Sequence, residues 1–426
     1  MTRSNGSALG IYVSIPFCRS KCTYCNFASG VYPAADQPRY VERVIEDLAH
    51  ARGWAGSLGV ELPRRVDSIY LGGGTPSLLT ADLLARLFAV MRVEFEIDPD
   101  AEITVECAPG QLPDAALEAM AVAGVNRVSL GVQSFVDAEA HASGRLHSRA
   151  GVEADLRRLR AAGIANLNVD LIAGLAGQTE SSWMESVDAL IDSGVPHASV
   201  YMLEVDEDSR LGREVLMGGS RYHAGLVPGD DAIARMYERS IERLGEAGLQ
   251  QYEISNFARP GFESRHNLRY WQRQPYLGAG LDASTMLALH AACETGDGGH
   301  LEPGTVLRTT TTDDLKAYLA GTATPDIEWL DAARQHEEAW FLGLRMNAGV
   351  YVSVLEREFG HDRVAPALEI VRRLVEDGLL TFDGECVRLT ARGRLISNEV
   401  FQEFLDTGNR DEGSGNRPVA AVGLET

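Results

Sequence analysis

Six short β-rich runs, at 11–17, 66–71, 102–107, 127–131, 167–172 and 198–203, fill the first half of the chain. Between them lie amphipathic helical patterns such as "YVERVIEDLAHA", "ADLLARLFAVMR" and "PDAALEAMAVAG". Strands that alternate with helices at this spacing are joined by right-handed crossovers and lie parallel in one sheet. Six βα units predict a full or partial βα barrel, with a doubly wound open sheet as the alternative. In both architectures the carboxyl ends of the strands share one face, and that face holds the site. Polar residues appear at those ends. Cysteines follow the first run and "GGGTPS" the second; Glu106 ends the third, Gln133 follows the fourth, and Asp170 lies near the end of the fifth. Five separate signals converge on one mouth.

Past Tyr252 the pattern changes to an aromatic- and glycine-rich stretch, "YEISNFARPGFESRHNLRYWQRQPYLGAGLDAS". The expected division is a barrel domain over 8–285, a connector over 286–330 rich in Gly and Thr, and a smaller helical domain over 331–406. That last domain ends in a hairpin and helix, a winged-helix-like pattern. The polar, aperiodic residues 407–426 are expected to be disordered.

Composition narrows the function classes. With 39 basic against 61 acidic residues the net charge is −22, which repels phosphate backbones and anionic headgroups, so no nucleic acid and no membrane partner is expected. No apolar run is long enough for a membrane span, and the polar start "MTRSNGSALG" lacks the apolar core of a secretory signal. A cytoplasmic protein is expected.

Six cysteines in 426 residues are too few for a disulfide scaffold. Cys107, Cys293 and Cys386 are scattered and read as small core hydrophobes. Cys18, Cys22 and Cys25 are not scattered: "IPFCRSKCTYCNFA" places three thiols within eight residues. Three thiolates on one loop suit zinc or an iron–sulfur cluster. Zinc needs a fourth ligand. The nearest histidine is His50 on the following helix, and Cys107 is on another strand, so zinc with a distant ligand stays open. A 4Fe–4S cluster held by three cysteines instead leaves one iron free for an exogenous ligand.

The spacing CxxxCxxC after a strand with an aromatic residue resembles the radical S-adenosylmethionine superfamily, in which the methionine moiety chelates that open iron. "GGGTPS" resembles the family's glycine-rich segment. "TVECAPG", "SLGVQSF" and "NVDLIAGLAGQ" extend the resemblance to the oxygen-independent coproporphyrinogen III oxidase-like branch, over most of the chain. The resemblance implies a partial (β/α)6 barrel with a smaller C-terminal domain, and a 4Fe–4S cluster on Cys18, Cys22 and Cys25. It also implies S-adenosylmethionine contacts from Tyr12, Gly73, Gly74, Thr75, Glu106, Gln133, Arg145 and Asp170. Carboxylates can accept from an amino group or ribose hydroxyls, and Gln and Arg donate to oxygens.

Within this branch the decarboxylating oxidases carry CxxxCxxCxC, whereas the heme chaperones have Phe at the last position, as Phe27 is here. The oxidases also begin with a longer segment before their first strand. "HNLRYW" matches a motif associated with heme in the chaperones, with His266 as candidate axial ligand and Tyr270 and Trp271 to pack on the macrocycle. The resemblance therefore implies a heme chaperone, not an active oxidase. It would bind cluster, S-adenosylmethionine and heme, and pass heme to acceptors such as respiratory haemoproteins. The alternatives are an anaerobic coproporphyrinogen III oxidase and, further off, another radical reaction on an unknown substrate.

Overall fold

The computed structural model describes residues 8–294 and 300–405. The tail expected at 407–426 and the first seven residues lie outside the described residues, as does the side chain of Cys293.

The expected runs are strands: β1 (Leu9–Ile15), β2 (Arg65–Gly73), β3 (Glu96–Cys107), β4 (Arg127–Gln133), β5 (Asn166–Ala173) and β6 (His197–Met202). They pair in chain order and all parallel. Each is β-branched or aliphatic on the face that meets the helices. In β4, Val128, Leu130 and Val132 are fully buried, while Arg127, Ser129, Gly131 and Gln133 face a cavity on the other side. The helices supply the opposite stripe. Along Gln37–Ser57, Tyr40, Val41, Val44, Leu48, Ala51 and Ala55 are buried at helical spacing. Local chemistry fixes the helix starts. Thr80 accepts from the Leu83 amide before Ala81–Glu94, and Thr179 with Ser182 forms a capping box before Glu180–Ser193.

The sheet continues past both ends of this unit to twelve strands. Beyond β1, Tyr276–Ala279 adds in parallel, followed by antiparallel Ser284–Ala288, Val306–Thr310 and Asp326–Leu330. Beyond β6, Asn256–Ala258 and Gln250–Gln251 add antiparallel. The terminal strands do not pair with each other, so the (β/α)6 unit is a partial barrel and not a closed one.

Residues 286–330, expected as a connector, thus carry sheet strands. "VLRTT" has the β-branched alternation of a strand, which its Gly- and Thr-rich surroundings masked.

The C-terminal part has its own core. Helices Ala332–Arg345, Val352–Phe359 and His361–Glu376 cover a small antiparallel sheet of Val350–Tyr351, Cys386–Leu389 and Leu380–Phe382. Trp340 stacks on Phe404 at 5.1 Å inside it. The bidentate Arg308–Glu338 pair (2.6 and 2.9 Å) ties helix Ala332–Arg345 to strand Val306–Thr310. As expected, Cys107 and Cys386 are buried.

Candidate cofactor and ligand site

The cysteine loop leaves β1 and is folded by its own backbone. The Gly30 amide donates to Pro16 O and the Cys18 amide to Gly30 O, both at 2.9 Å, so the ends of the loop close. Lys21 Nζ donates to the carbonyls of Phe27 (2.6 Å) and Ser29 (2.8 Å). Two other loops brace it: the Thr23 amide donates to Ser143 O, and the Leu211 amide to Thr23 O. Each sulfur has a polar neighbour. Thr75 Oγ1 is 3.9 Å from Cys18 Sγ, Arg145 Nη1 is 3.5 Å from Cys22 Sγ, and Ser29 Oγ is 3.7 Å from Cys25 Sγ. Burial pushes the Cys18 thiol above its ordinary range, and the Thr75 and Ser29 hydroxyls work against that.

The glycine-rich segment is needed because the loop lies against it. Gly73 has φ +98°, and a Cβ on Gly74 would stand 2.8 Å from Ile15 O and 3.0 Å from Cys18 Sγ. Among the described residues, no three His, Cys, Asp or Glu side chains are placed around a single metal ion. His50 is hydrogen-bonded to Glu46 O on its own helix, and Cys107, although it also lines the cavity, is directed at Val105 O, so neither joins the three thiols in such a group.

Seven of the other expected residues join the cysteines around one cavity of about 760 Å³: Gly73, Gly74, Thr75, Glu106, Gln133, Arg145 and Asp170. Glu106 accepts from the Tyr70 hydroxyl (2.8 Å) and the Gly73 amide (3.2 Å), and burial pushes its carboxyl up to about 7. Asp170 accepts from Ser129 Oγ (2.9 Å) and Asn168 Nδ2 (2.6 Å); burial raises it too. Gln133 sits at φ 69°, in the left-handed region, and its buried Oε1 has no partner. A strained backbone presenting an unpartnered side-chain oxygen to a cavity is the mark of a group held ready for a ligand. Arg145 donates to Gly131 O as well as approaching Cys22.

Tyr12 and His266 do not line the cavity. Tyr12 stacks on Tyr70 at 6.1 Å, one ring back from it. His266 is fully buried in the first turn of helix Arg265–Trp271. Its Nδ1 meets Ser68 Oγ and its Nε2 meets the Tyr270 hydroxyl, both at 3.0 Å, and burial holds the ring neutral. With both nitrogens engaged, no lone pair is left for a heme iron. The expectation that His266 is the axial ligand is not met in this packing; His266 instead anchors its helix under β2. Asn267 and Trp271 of the same motif do face the cavity.

Sequence reasoning missed three groups at or just behind the cavity wall. Arg127 and Ser129 were signalled by the alternation of "RVSLGVQ", which puts 127, 129, 131 and 133 on one face. The Asn168–His197–Tyr252 chain (2.7 and 2.9 Å) behind Asp170 had the same kind of signal. Phe341, Leu342, Arg345 and Phe401 come from the C-terminal domain, and no local pattern marks them.

Comparisons with known proteins agree with this geometry. Residues 12–190 match the Radical SAM superfamily, and residues 330–396 the HemN C-terminal domain. The heme chaperone HemW of Lactococcus lactis is 34% identical over 92% of this chain and 96% of its own. The chain belongs to the HemW family of radical SAM proteins. The HemW of Mycobacterium tuberculosis is 33% identical over 94% of the chain and 95% of its own. The structure of coproporphyrinogen III oxidase (HemN) from Escherichia coli covers 95% of the chain and 91% of its own, with a TM-score of 0.76; at 22% identity it shows the shared fold.

A radical SAM domain carries a 4Fe–4S cluster and S-adenosylmethionine, and this HemW-family site fits both. It offers three free thiols on one wall, a glycine surface on which a Cβ would intrude, and unspent polar atoms above it. A bound cluster would supply an open iron and a reducing electron, and Cys18, Cys22 and Cys25 with the surrounding cavity are the residues that would hold both groups.

Proposed function

We propose that this protein is a heme chaperone of the cytoplasm. Cys18, Cys22 and Cys25 hold the 4Fe–4S cluster, while Gly73, Gly74, Thr75, Glu106, Gln133, Arg145 and Asp170 hold S-adenosylmethionine. Tyr12 supports that site from behind Tyr70. Heme is passed to acceptor proteins such as respiratory haemoproteins. The observation that carries the reading is likeness over nearly the whole chain to proteins named heme chaperone HemW. Two features of the site support it. Phe27 occupies the place of the oxidases' fourth cysteine. The cavity also runs from the cysteine loop to an apolar wall of Trp271, Phe341, Leu342 and Phe401, the surface a porphyrin face requires.

The test is anaerobic reconstitution followed by parallel assays for heme binding and for conversion of coproporphyrinogen III to protoporphyrinogen. Heme binding with little or no decarboxylation is expected; robust turnover would make the protein an oxidase. Cys18→Ala, Cys22→Ala or Cys25→Ala should each abolish the iron–sulfur absorbance, and Cys107→Ala should leave it. As His266 is packed, His266→Ala should lower thermal stability and leave the Soret spectrum of bound heme in place. A folded His266→Ala protein with an altered Soret band would restore the imidazole as ligand.

A further inference from the structure

Arg127 opens β4 at the level of Thr104 in β3. It thus lies one inward-facing layer, about 7 Å, below Glu106, which pairs with Ser129. Its side chain lines the cavity and the residue is only 1% exposed. The Nε and Nη1 atoms are buried and have no hydrogen-bond partner among the described residues. The charges of Glu102 and Asp170 bear on it, but their oxygens are engaged elsewhere. Glu102 accepts from the amides of His266 (3.0 Å) and Arg265 (3.1 Å), and Asp170 accepts from Asn168 and Ser129. Glu106, one layer above, is taken by Tyr70 and Gly73. A buried guanidinium ordinarily meets a carboxylate through paired N–H bonds, and leaving them unmade is costly. Here the positive charge is balanced at a distance while two of its nitrogens, Nε and Nη1, are unspent.

We propose that Arg127 is the carboxylate subsite of this cavity and that it takes one propionate of heme. The proposal rests on the heme reading above. An apolar ligand large enough to cover the Trp271 and Phe341 wall and bearing a short acidic arm meets both the wall and the guanidinium, which line the same cavity. The guanidinium fixes which edge of the macrocycle enters first.

The experiment compares iron protoporphyrin IX with its dimethyl ester, titrated into the cluster-loaded full chain of the wild type, Arg127→Met and Arg127→Lys. The wild type should prefer the diacid. Arg127→Met should lose roughly tenfold to a hundredfold in affinity for the diacid and little for the ester, which removes the preference. Arg127→Lys should retain part of it. Without ligand, Arg127→Met should remain folded by circular dichroism but lose some heat stability, because the attraction of Glu102 and Asp170 for the guanidinium outweighs its desolvation. The subsite is overturned if Arg127→Met keeps the diacid preference, or weakens both porphyrins equally. It is also overturned if the variant weakens S-adenosylmethionine binding while porphyrin selectivity is unchanged. If the wild type binds both porphyrins without preference, the subsite falls and the chaperone reading survives. If it binds neither, both fall.

Discussion

Glu106 shows how a single side chain is set up for a ligand at a cost in stability. Burial raises its carboxyl to about 7, although Tyr70 and Gly73 both donate to it. Between the ordinary carboxylate range and about 7, the folded protein holds a proton that the unfolded chain releases. Stability therefore falls as pH rises through that window and stays lowered above it. Glu106→Gln removes the titration. Its amide oxygen can take the Gly73 N–H while its NH2 donates to the Tyr70 oxygen. One side of the carboxyl faces the cavity, where water screens it. The ligand-free variant should therefore exceed the wild type by about 1–3 kcal/mol at pH 8, with the advantage fading toward pH 5. Denaturant titrations at the two pH values check this, and a variant less stable at pH 8 would show that the attraction of Arg127 and the two donors outweighs the cost of burying the carboxylate. That Glu106, Gln133 and Asp170 share a mouth was legible from their register at strand ends. That His266 turns away from it was not, because its direction depends on Ser68 and Tyr270, which meet it only in the fold.

At the scale of elements, the cysteine loop and the segment from Gly72 to Ser77 form one unit. A methyl group on Gly74 would press on Ile15 O (2.8 Å), Pro16 C (2.9 Å) and Cys18 Sγ (3.0 Å). Two of those three atoms are backbone and cannot rotate away, so the loop itself must move. Gly74→Ala should leave the circular dichroism spectrum native, cost about 1–3 kcal/mol, and lower the iron bound on reconstitution. Gly53→Ala is the control: it lies within helix Gln37–Ser57 with nothing within 4 Å, and should be neutral or slightly stabilising. Full iron loading in Gly74→Ala would mean that the loop does not need the bare backbone beside it. The strands β1 to β6 were visible in the sequence because the residues facing the helices are apolar and β-branched at alternate positions and their turns are punctuated. Strand Val306–Thr310 was not, because it sits among Gly- and Thr-rich turns and owes its pairing to Ser284–Ala288 and Asp326–Leu330.

For the molecule as a whole, the wall of the cavity opposite the barrel depends on the C-terminal domain staying docked. Arg308 and Glu338 are 12% and 10% exposed and meet through two bonds. Glu338→Ala would leave a guanidinium buried without its partner, at about 3–5 kcal/mol. Thermal unfolding should show a clear loss of stability, accompanied by weaker heme binding as Phe341 and Leu342 shift. Glu369→Ala, which breaks the exposed Arg372–Glu369 pair, should change stability by less than about 1 kcal/mol. Equal effects of the two substitutions would remove the Arg308–Glu338 pair from the docking interface.

The sequence by itself determined the βα order, the parallel sheet, the three thiols on one loop and the polar residues at the strand ends. Each of these follows from local periodicity, spacing or residue chemistry. Only the tertiary structure decided that residues 286–330 extend the sheet and that both ring nitrogens of His266 are engaged. It also decided that Nε and Nη1 of Arg127 are buried without a partner. These depend on which groups from distant parts of the chain meet, and on which hydrogen bonds are already taken when they do.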